Sequence, residues 1–269
     1  MKKPSHKTMT LIYLIIFFYI IAGIMLYKYQ KQLIFRPDKL DKSYTFHFDE
    51  PFKEFNLPLN DTDRLNAVLL KADTAKGIVI YFHGNTGNIS HYSKATSIFI
   101  RHHYDVLMMD YPGYGKSTGP NSEHDLYNDA DLMYQLARNY YQPDSIIIYG
   151  RSLGTAMASE LASRQYCKAL VLECPFYSFD ALASHYLPIY PVSWLLQYHF
   201  PVHKFVHHVL VPVIIFHGTK DGVIPHGQSR KLKASLKPED RFITIPKGRH
   251  NDLYHQPLYK KVMDSLLQK

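Results

Sequence analysis

The sequence predicts an α/β protein, a mostly parallel eight-stranded sheet with helices on both faces, preceded by one apolar helix. Three observations carry this. From Ile78 onward, short β-branched runs alternate with stretches rich in Ala, Leu, Met and Glu, the pattern of parallel strands linked by crossover helices. The run Ser145–Tyr149 (SIIIY) meets the helix-forming stretch Thr155–Gln165 through Gly150-Arg151-Ser152-Leu153-Gly154, a strand, a tight turn and a helix in succession. Met9–Tyr27 carries no charged residue.

The elements follow in order. Residues 1–8 form a basic flank with Lys2, Lys3 and Lys7. Met9–Tyr27 spans close to 30 Å as a helix, enough for the hydrocarbon core of a bilayer, and predicts a transmembrane anchor. Tyr13, Tyr19 and Tyr27 are tolerated there, those near the ends suiting the interface. A cleaved signal peptide is the rival, but the run exceeds a usual signal core and its small residues, Ala22-Gly23, lie inside it. No cysteine follows, which excludes a bacterial lipoprotein. Lys28, Lys31, Arg36 and Lys39 nearly balance the N-terminal lysines, so charge leans only slightly toward an exported body. Residues 28–50 read as a linker and 51–269 as the globular domain.

In that domain, strands are predicted at Lys53–Leu57, Arg64–Leu70, Ile78–Phe82, Val106–Met109, Ser145–Tyr149, Ala169–Glu173, Val213–Phe216 and Arg241–Ile245. Helices are predicted at Ile89–His103, Glu123–Tyr140, Leu153–Gln165, His226–Leu236 and Pro257–Leu267. Residues 175–210 break the alternation with a crowd of aromatics, among them Phe176, Phe179, Tyr190, Trp194 and Phe200. They read either as a short helical lid over a site or as packing for a crossover.

A chain of 269 residues can bury one large core. Its net charge of +8 comes from scattered lysines and arginines without a nucleic-acid motif, so anionic lipid suits it better than nucleic acid. Cys167 and Cys174 flank a strand that holds them about 20 Å apart, beyond disulfide reach. Sixteen histidines include no H-E-x-x-H pair, and no metal or cofactor is expected.

Chemistry points first to Ser152. In G-x-S-x-G between strand and helix, the small glycines permit a sharp turn that presents the hydroxyl at a helix N-terminus, where an anionic intermediate is favoured. A second copy, Gly115-Lys116-Ser117-Thr118-Gly119, is followed by Pro120 and Asn121 instead of a helix and reads as a turn. A serine needs a base, and the base an orienting acid. Asp221 follows the strand Val213–Phe216 and His250 the strand Arg241–Ile245, so both fall at strand carboxyl ends, where doubly wound sheets place reacting groups. Asp180 is the runner-up acid. Asp252 reads as an N-cap for the final helix and His217 as structural. For an oxyanion, the Leu153 N–H follows the nucleophile, and the loop His83-Gly84-Asn85-Thr86-Gly87 supplies a second donor, Asn85 first and Thr86 second.

With these residues in hand, the chain beyond residue 50 resembles the α/β-hydrolase family of serine hydrolases. More narrowly it is similar to a membrane-anchored group that includes eukaryotic α/β-hydrolase-domain lysophospholipases and protein depalmitoylases. The resemblance rests on YFHGNTGNIS (81–90), MDYPGYGKSTGPNSE (109–123), YGRSLGTAMA (149–158), HGTKDGVIP (217–225) and GRHND (248–252). Pro112 departs from the Arg often found before Gly-Tyr-Gly in relatives. The resemblance implies a Ser152–Asp221–His250 triad with Asn85 and Leu153 as the oxyanion hole.

The expected function is hydrolysis of a small-molecule or lipid-like acyl ester or thioester by a membrane-anchored serine hydrolase, without a cofactor. A serine peptidase on the same scaffold and a non-catalytic membrane adaptor are the alternatives. The first would carry a larger cap or a propeller, and the second typically loses a triad member.

Overall fold

The computed structural model describes residues 5–268. Helix α1 (His6–Ile34) begins at Ser5, whose hydroxyl accepts the Thr8 N–H at 3.3 Å. Its 29 residues extend about 43 Å at 1.5 Å each. An apolar window of mean hydropathy 2.5 makes it long and apolar enough to cross a membrane, a property shared with signal sequences.

The strands are β1 (Phe52–Pro58), β2 (Arg64–Leu70), β3 (Gly77–Phe82), β4 (Tyr104–Met109), β5 (Ile146–Arg151), β6 (Ala169–Glu173), β7 (Val213–Gly218) and β8 (Arg241–Ile245). They form one eight-stranded sheet in the order β8-β7-β6-β5-β3-β4-β2-β1. The β1–β2 and β2–β4 pairings are antiparallel, and the remaining five pairings are parallel. Each expected strand is present, shifted by at most two residues at its ends.

Helices cover both faces, which explains the nearly continuous apolar runs. Ile78, Ile80 and Phe82 of β3 point into one half of the core, with Met133 of α4 (Glu123–Arg138) and Met157 of α5 (Gly154–Arg164). Val79 and Tyr81 point into the other, with Phe99 and Met263. The expected helix Ile89–His103 is broken into α2 (Ile89–Tyr92), a 3₁₀ turn and α3 (Ser97–Arg101). Ser93 and Thr96 hydroxyls donate to the carbonyls of Ser90 and Ser93 at 3.1 and 2.6 Å, a local competition that disfavours a regular helix. The expected helix 226–236 likewise ends early, as α9 (His226–Arg230) followed by a 3₁₀ turn, while α10 (Pro257–Leu267) keeps its expected bounds.

Residues 175–210 hold α6 (Phe179–Tyr186), α7 (Val192–Leu195) and α8 (Val202–His208). Their aromatics divide by burial. Phe176, Tyr198 and Phe200 are buried in the core, whereas Tyr186 and Trp194 are exposed.

The stretch 28–50 departs from the expected linker. Its first residues continue α1 to Ile34, and Phe35 is buried. Arg36 and Pro37 then form a two-residue parallel ladder with Thr86 and Gly87, and the Leu40 N–H donates to Gly115. Apolar Ile34, Phe35 and Phe46 find room in the core, so the segment packs along the domain instead of bridging to it.

Candidate active site

The turn after β5 is shaped by steric exclusion. A Cβ on Gly150 would meet the Gly154 carbonyl oxygen at 2.4 Å, and a Cβ on Gly154 would meet the Phe82 oxygen at 2.1 Å. Only glycine lets α5 start this close to β3 and β5. Between them Ser152 takes φ +53, a left-handed conformation that costs a serine about 1 kcal/mol or more. Its N–H donates to the Glu173 carbonyl at 2.9 Å, and the Thr155 hydroxyl donates to its carbonyl at 2.6 Å.

The loops after β7 and β8 are brought together by a second close approach. A Cβ on Gly218 would meet the Gly248 oxygen at 2.2 Å, and the Lys220 N–H donates to that same oxygen at 2.9 Å. This seats Asp221 beside His250. The His250 Nδ1–H donates to Asp221 Oδ2 at 2.7 Å, leaving Nε2 to accept the Ser152 hydroxyl at 3.0 Å. All three side chains sit at the carboxyl end of the sheet and are buried. Asp221 Oδ1 also accepts the N–H groups of Val223 and Ile224, both at 2.8 Å. Burial pushes the Asp221 carboxyl up, but hydrogen bonds from His217 and His250, the His250 charge and the Ile224 N–H outweigh it and hold it well below the usual carboxylate range.

Asp180, the runner-up acid, stands elsewhere: its Oδ1 faces His199 Nδ1 at 3.0 Å. Asp252 does not cap α10, whose N-cap is Gln256. Its carboxylate instead accepts the Arg249 N–H at 2.7 Å, closing the turn that carries His250. The hydroxyl of Ser117 is occupied, donating to the Asp110 carbonyl at 2.6 Å and accepting the Asn66 N–H at 2.8 Å.

Asn85 and Leu153 line one cavity of about 170 Å³ with Ser152, walled by Ile34, Phe179 and Leu182. Among the described residues, neither the Asn85 nor the Leu153 N–H donates to a protein acceptor. The Asn85 loop is held from below: its carbonyl accepts the Tyr114 hydroxyl at 2.7 Å and the Arg36 N–H at 2.8 Å. The Tyr111 hydroxyl donates to the His83 carbonyl at 2.7 Å. Thr86 is exposed and belongs to the ladder with Arg36.

Several partners of the site have no strong sequence signal. His217 Nε2 lies 3.2 Å from Asp221 Oδ2 and donates to the Ile224 carbonyl at 2.8 Å. Buried Arg151 reaches Asn251 Oδ1 at 2.9 Å and the His250 carbonyl at 3.4 Å, and pairs with Glu173 at 3.4 Å. Glu173 is also bonded by the Tyr149 hydroxyl, which meets Tyr259 at 2.8 Å. The register β5–β6 sets Arg151 opposite Glu173, the only hint a strand alignment could have offered.

Cys174, Asp221 and His250 bring possible metal-ligand atoms within 4.8 Å of one another. Burial pushes the Cys174 thiol well up, so it stays protonated, and the other two already bond each other. The arrangement suits proton transfer better than metal binding.

Comparison with known proteins agrees with this scaffold. The sequence profile of the alpha/beta hydrolase fold matches residues 77–198. The uncharacterized protein YfhR of Escherichia coli K12 is 30% identical over 201 residues, covering 71% of this chain and 70% of YfhR. An esterase of Pyrococcus furiosus, Pf2001, superposes with a TM-score of 0.67 at 16% identity over 87% of this chain and 97% of its own. A monoacylglycerol lipase of Paleococcus ferrophilus gives a TM-score of 0.59 at 18% identity, covering 76% and 98%. With its sheet order and its strand–turn–helix junction at Ser152, the chain belongs to the α/β-hydrolase family.

Proposed function

We propose that the protein is a membrane-anchored serine hydrolase that cleaves acyl esters or thioesters, with a lipid-like substrate. The observation that carries this reading is the Ser152–His250–Asp221 hydrogen-bond chain, at 3.0 and 2.7 Å, opening on an apolar cavity. Ser152 Oγ attacks the acyl carbon while its proton passes to His250 Nε2. The carbonyl oxygen becomes an oxyanion facing the Asn85 and Leu153 N–H groups. The intermediate collapses, the carbon–oxygen or carbon–sulfur bond breaks, and His250 returns the proton to the leaving alcohol or thiol. Water, deprotonated by His250, then attacks the acyl-Ser152 ester and releases the acid. Asp221 stays ionised, keeps the Nδ1–H tautomer and stabilises the imidazolium.

The esterase and lipase neighbours support ester chemistry, and α1 supports the anchor, with Met9–Tyr27 as its span, residues 1–8 as its flank and residues 175–210 as a cap. The test is labelling with a fluorophosphonate followed by turnover of a nitrophenyl ester. Label on Ser152 and a loss of about 10⁴-fold or more in kcat for Ser152→Ala are expected. Retained turnover in that variant, or label at Ser117, overturns the reading.

A further inference from the structure

The cavity at Ser152 does not end at the domain. Leu33, Ile34, Phe179 and Leu182 line it and also line a second cavity of about 190 Å³ between α1 and the α6–α7 segment. Leu26 and Leu33 belong both to that cavity and to a wider groove of about 700 Å³ along α1, bounded by Phe18, Ala22 and Tyr190. The three spaces therefore share walls in series, and most of those walls are apolar. Beyond Ser152 and Asn85 at the catalytic end, Gln30 places an amide in the wall between them and the outer groove. Its amide donates to the Tyr27 and Leu195 carbonyls at 2.8 and 3.1 Å, and its oxygen accepts the Gln197 N–H at 2.7 Å. With these partners satisfied, it fastens α1 to the end of α7 instead of offering a polar obstacle.

The groove also has a definite depth. Tyr190 stacks on Tyr19 at 4.6 Å and donates to the Tyr19 carbonyl at 3.2 Å, while the Tyr19 hydroxyl donates to Ile189 at 2.9 Å. Tyr19 lies eight residues inside the apolar run that ends at Tyr27, about 12 Å along the helix. If the run spans a bilayer, the turn between α6 and α7 reaches that far into the near leaflet. Side chains here fit that setting: Ile189 in the turn is 71% exposed and Trp194 on α7 is 85% exposed. In water such exposure would be unfavourable, and in lipid it is a way of seating the cap.

We propose that α1 is itself a wall of the substrate site, and that the groove between α1 and the α6–α7 segment holds one acyl chain of a membrane ester entering sideways from the leaflet. This rests on the serine-hydrolase reading above. The chain lies along Leu26 and Leu33 with its methyl end toward Tyr190, which leaves the ester carbonyl at Ser152 between the Asn85 and Leu153 N–H groups. The headgroup or thiol carrier then faces the aqueous side of the cavity. Ester bonds near the membrane surface are reached without lifting the acyl chain into water, so the favourable burial of its methylenes is kept throughout.

The test uses the full-length protein in phosphatidylcholine vesicles and a fluorophosphonate whose dodecyl chain ends in a diazirine. After reaction at Ser152 and irradiation, the adduct is expected on Leu26–Leu33 of α1 or on the facing residues 182–195. An adduct on α4 or the β1 edge, or on lipid alone, overturns the groove. A probe that fails to label Ser152 refutes the hydrolase reading, whereas Ser152 labelling with a displaced adduct refutes only the groove. Leu26→Trp supplies an independent readout, because it narrows the groove away from Ser152. The ratio of kcat/KM for nitrophenyl dodecanoate over nitrophenyl acetate is expected to fall at least about tenfold. Leu14→Trp, on a part of α1 that lines none of these cavities, keeps the wild-type ratio. A ratio unmoved by Leu26→Trp overturns the proposal.

Discussion

The side-chain amide of Asn85 donates a 2.9 Å hydrogen bond to the carbonyl of Ile34, the last residue of α1. Helix ends leave carbonyls without intrahelical donors, and here one of them is satisfied by the loop that follows β3. The Arg36 N–H answers with a bond to the Asn85 carbonyl at 2.8 Å. The apolar helix thus ends directly on the residue proposed to supply an oxyanion N–H, with no flexible segment between them.

The point of truncation should therefore matter. A chain beginning at Arg36 loses the Ile34 carbonyl and the buried side chains of Ile34 and Phe35. It is expected to hydrolyse a soluble short-chain ester about tenfold or more slowly, because Asn85 is less firmly placed. A chain beginning at Met25 keeps the last turns of α1 and is expected to stay close to the full-length rate on that ester. Equal rates for the two shortened proteins would show that the Asn85–Ile34 bond does not position the loop.

Asp221 and Asp180 should separate cleanly in activity. Asp221→Asn is expected to lower kcat about 10⁴-fold through loss of the Nδ1–H tautomer, while Asp180→Asn stays near wild type. The depressed Asp221 carboxyl also makes a stability prediction. Its stabilising bonds are fully present above the unfolded carboxyl value near 4 and are lost as pH falls toward the lower folded value. The gap in Tm between wild type and Asp221→Asn should accordingly shrink below about pH 4. A gap that widens on acidification would contradict the assigned hydrogen bonds.

Arg151 is a positioning residue for the His250 turn through Asn251 and the His250 carbonyl. Arg151→Lys keeps the charge but not the planar fork. A fall in kcat of about tenfold with KM nearly unchanged is expected, since the substrate cavity is not lined by Arg151. A rise in KM with unchanged kcat would place Arg151 in substrate binding instead.

Asp129 on α4 carries an independent pH signature. Burial, then the nearby Asp125 charge, push its carboxyl up to about 7. From about pH 4 to about pH 7 the folded protein binds a proton that the unfolded chain has released, so stability falls as pH rises through this window. Asp129→Asn removes that dependence. Its Tm relative to wild type should climb by several degrees between pH 4 and pH 8, as followed by thermal melts. A difference independent of pH would refute the shifted carboxyl.

Much of this architecture could be read from short stretches of chain. The short apolar runs at 64–70, 169–173 and 241–245 announce strands with the bounds observed, because each is too short for a helix of ordinary length and is bounded by turn residues or a proline. The Gly150–Gly154 turn is equally legible, since its steric demand lies within five residues. Ser152, Asp221 and His250 could be nominated from strand ends alone, and folding places their side chains in hydrogen-bond reach. The broken helix at 89–101 was less legible, because Ser and Thr back-bonding competes with a propensity that only slightly favours helix.

Other relationships depend on which strands become neighbours and which loops then meet. Arg151 finds Asn251 a hundred positions away, His217 shares a carboxylate with His250, and Asn85 holds the end of α1 across 51 positions. No local pattern marks such pairs, since periodicity records only which face of an element is apolar. The stretch after Tyr27 shows the same limit. The sequence reads as a linker there, yet Phe35 packs edge-on against Tyr198 at 5.1 Å and Ile34 shares a cavity wall with Phe179 and Leu182 of α6, partners that lie far away in the chain. Local composition could announce an apolar helix and a hydrolase body separately. Their joining at Asn85 and Tyr190 was decided by packing between segments far apart in the chain.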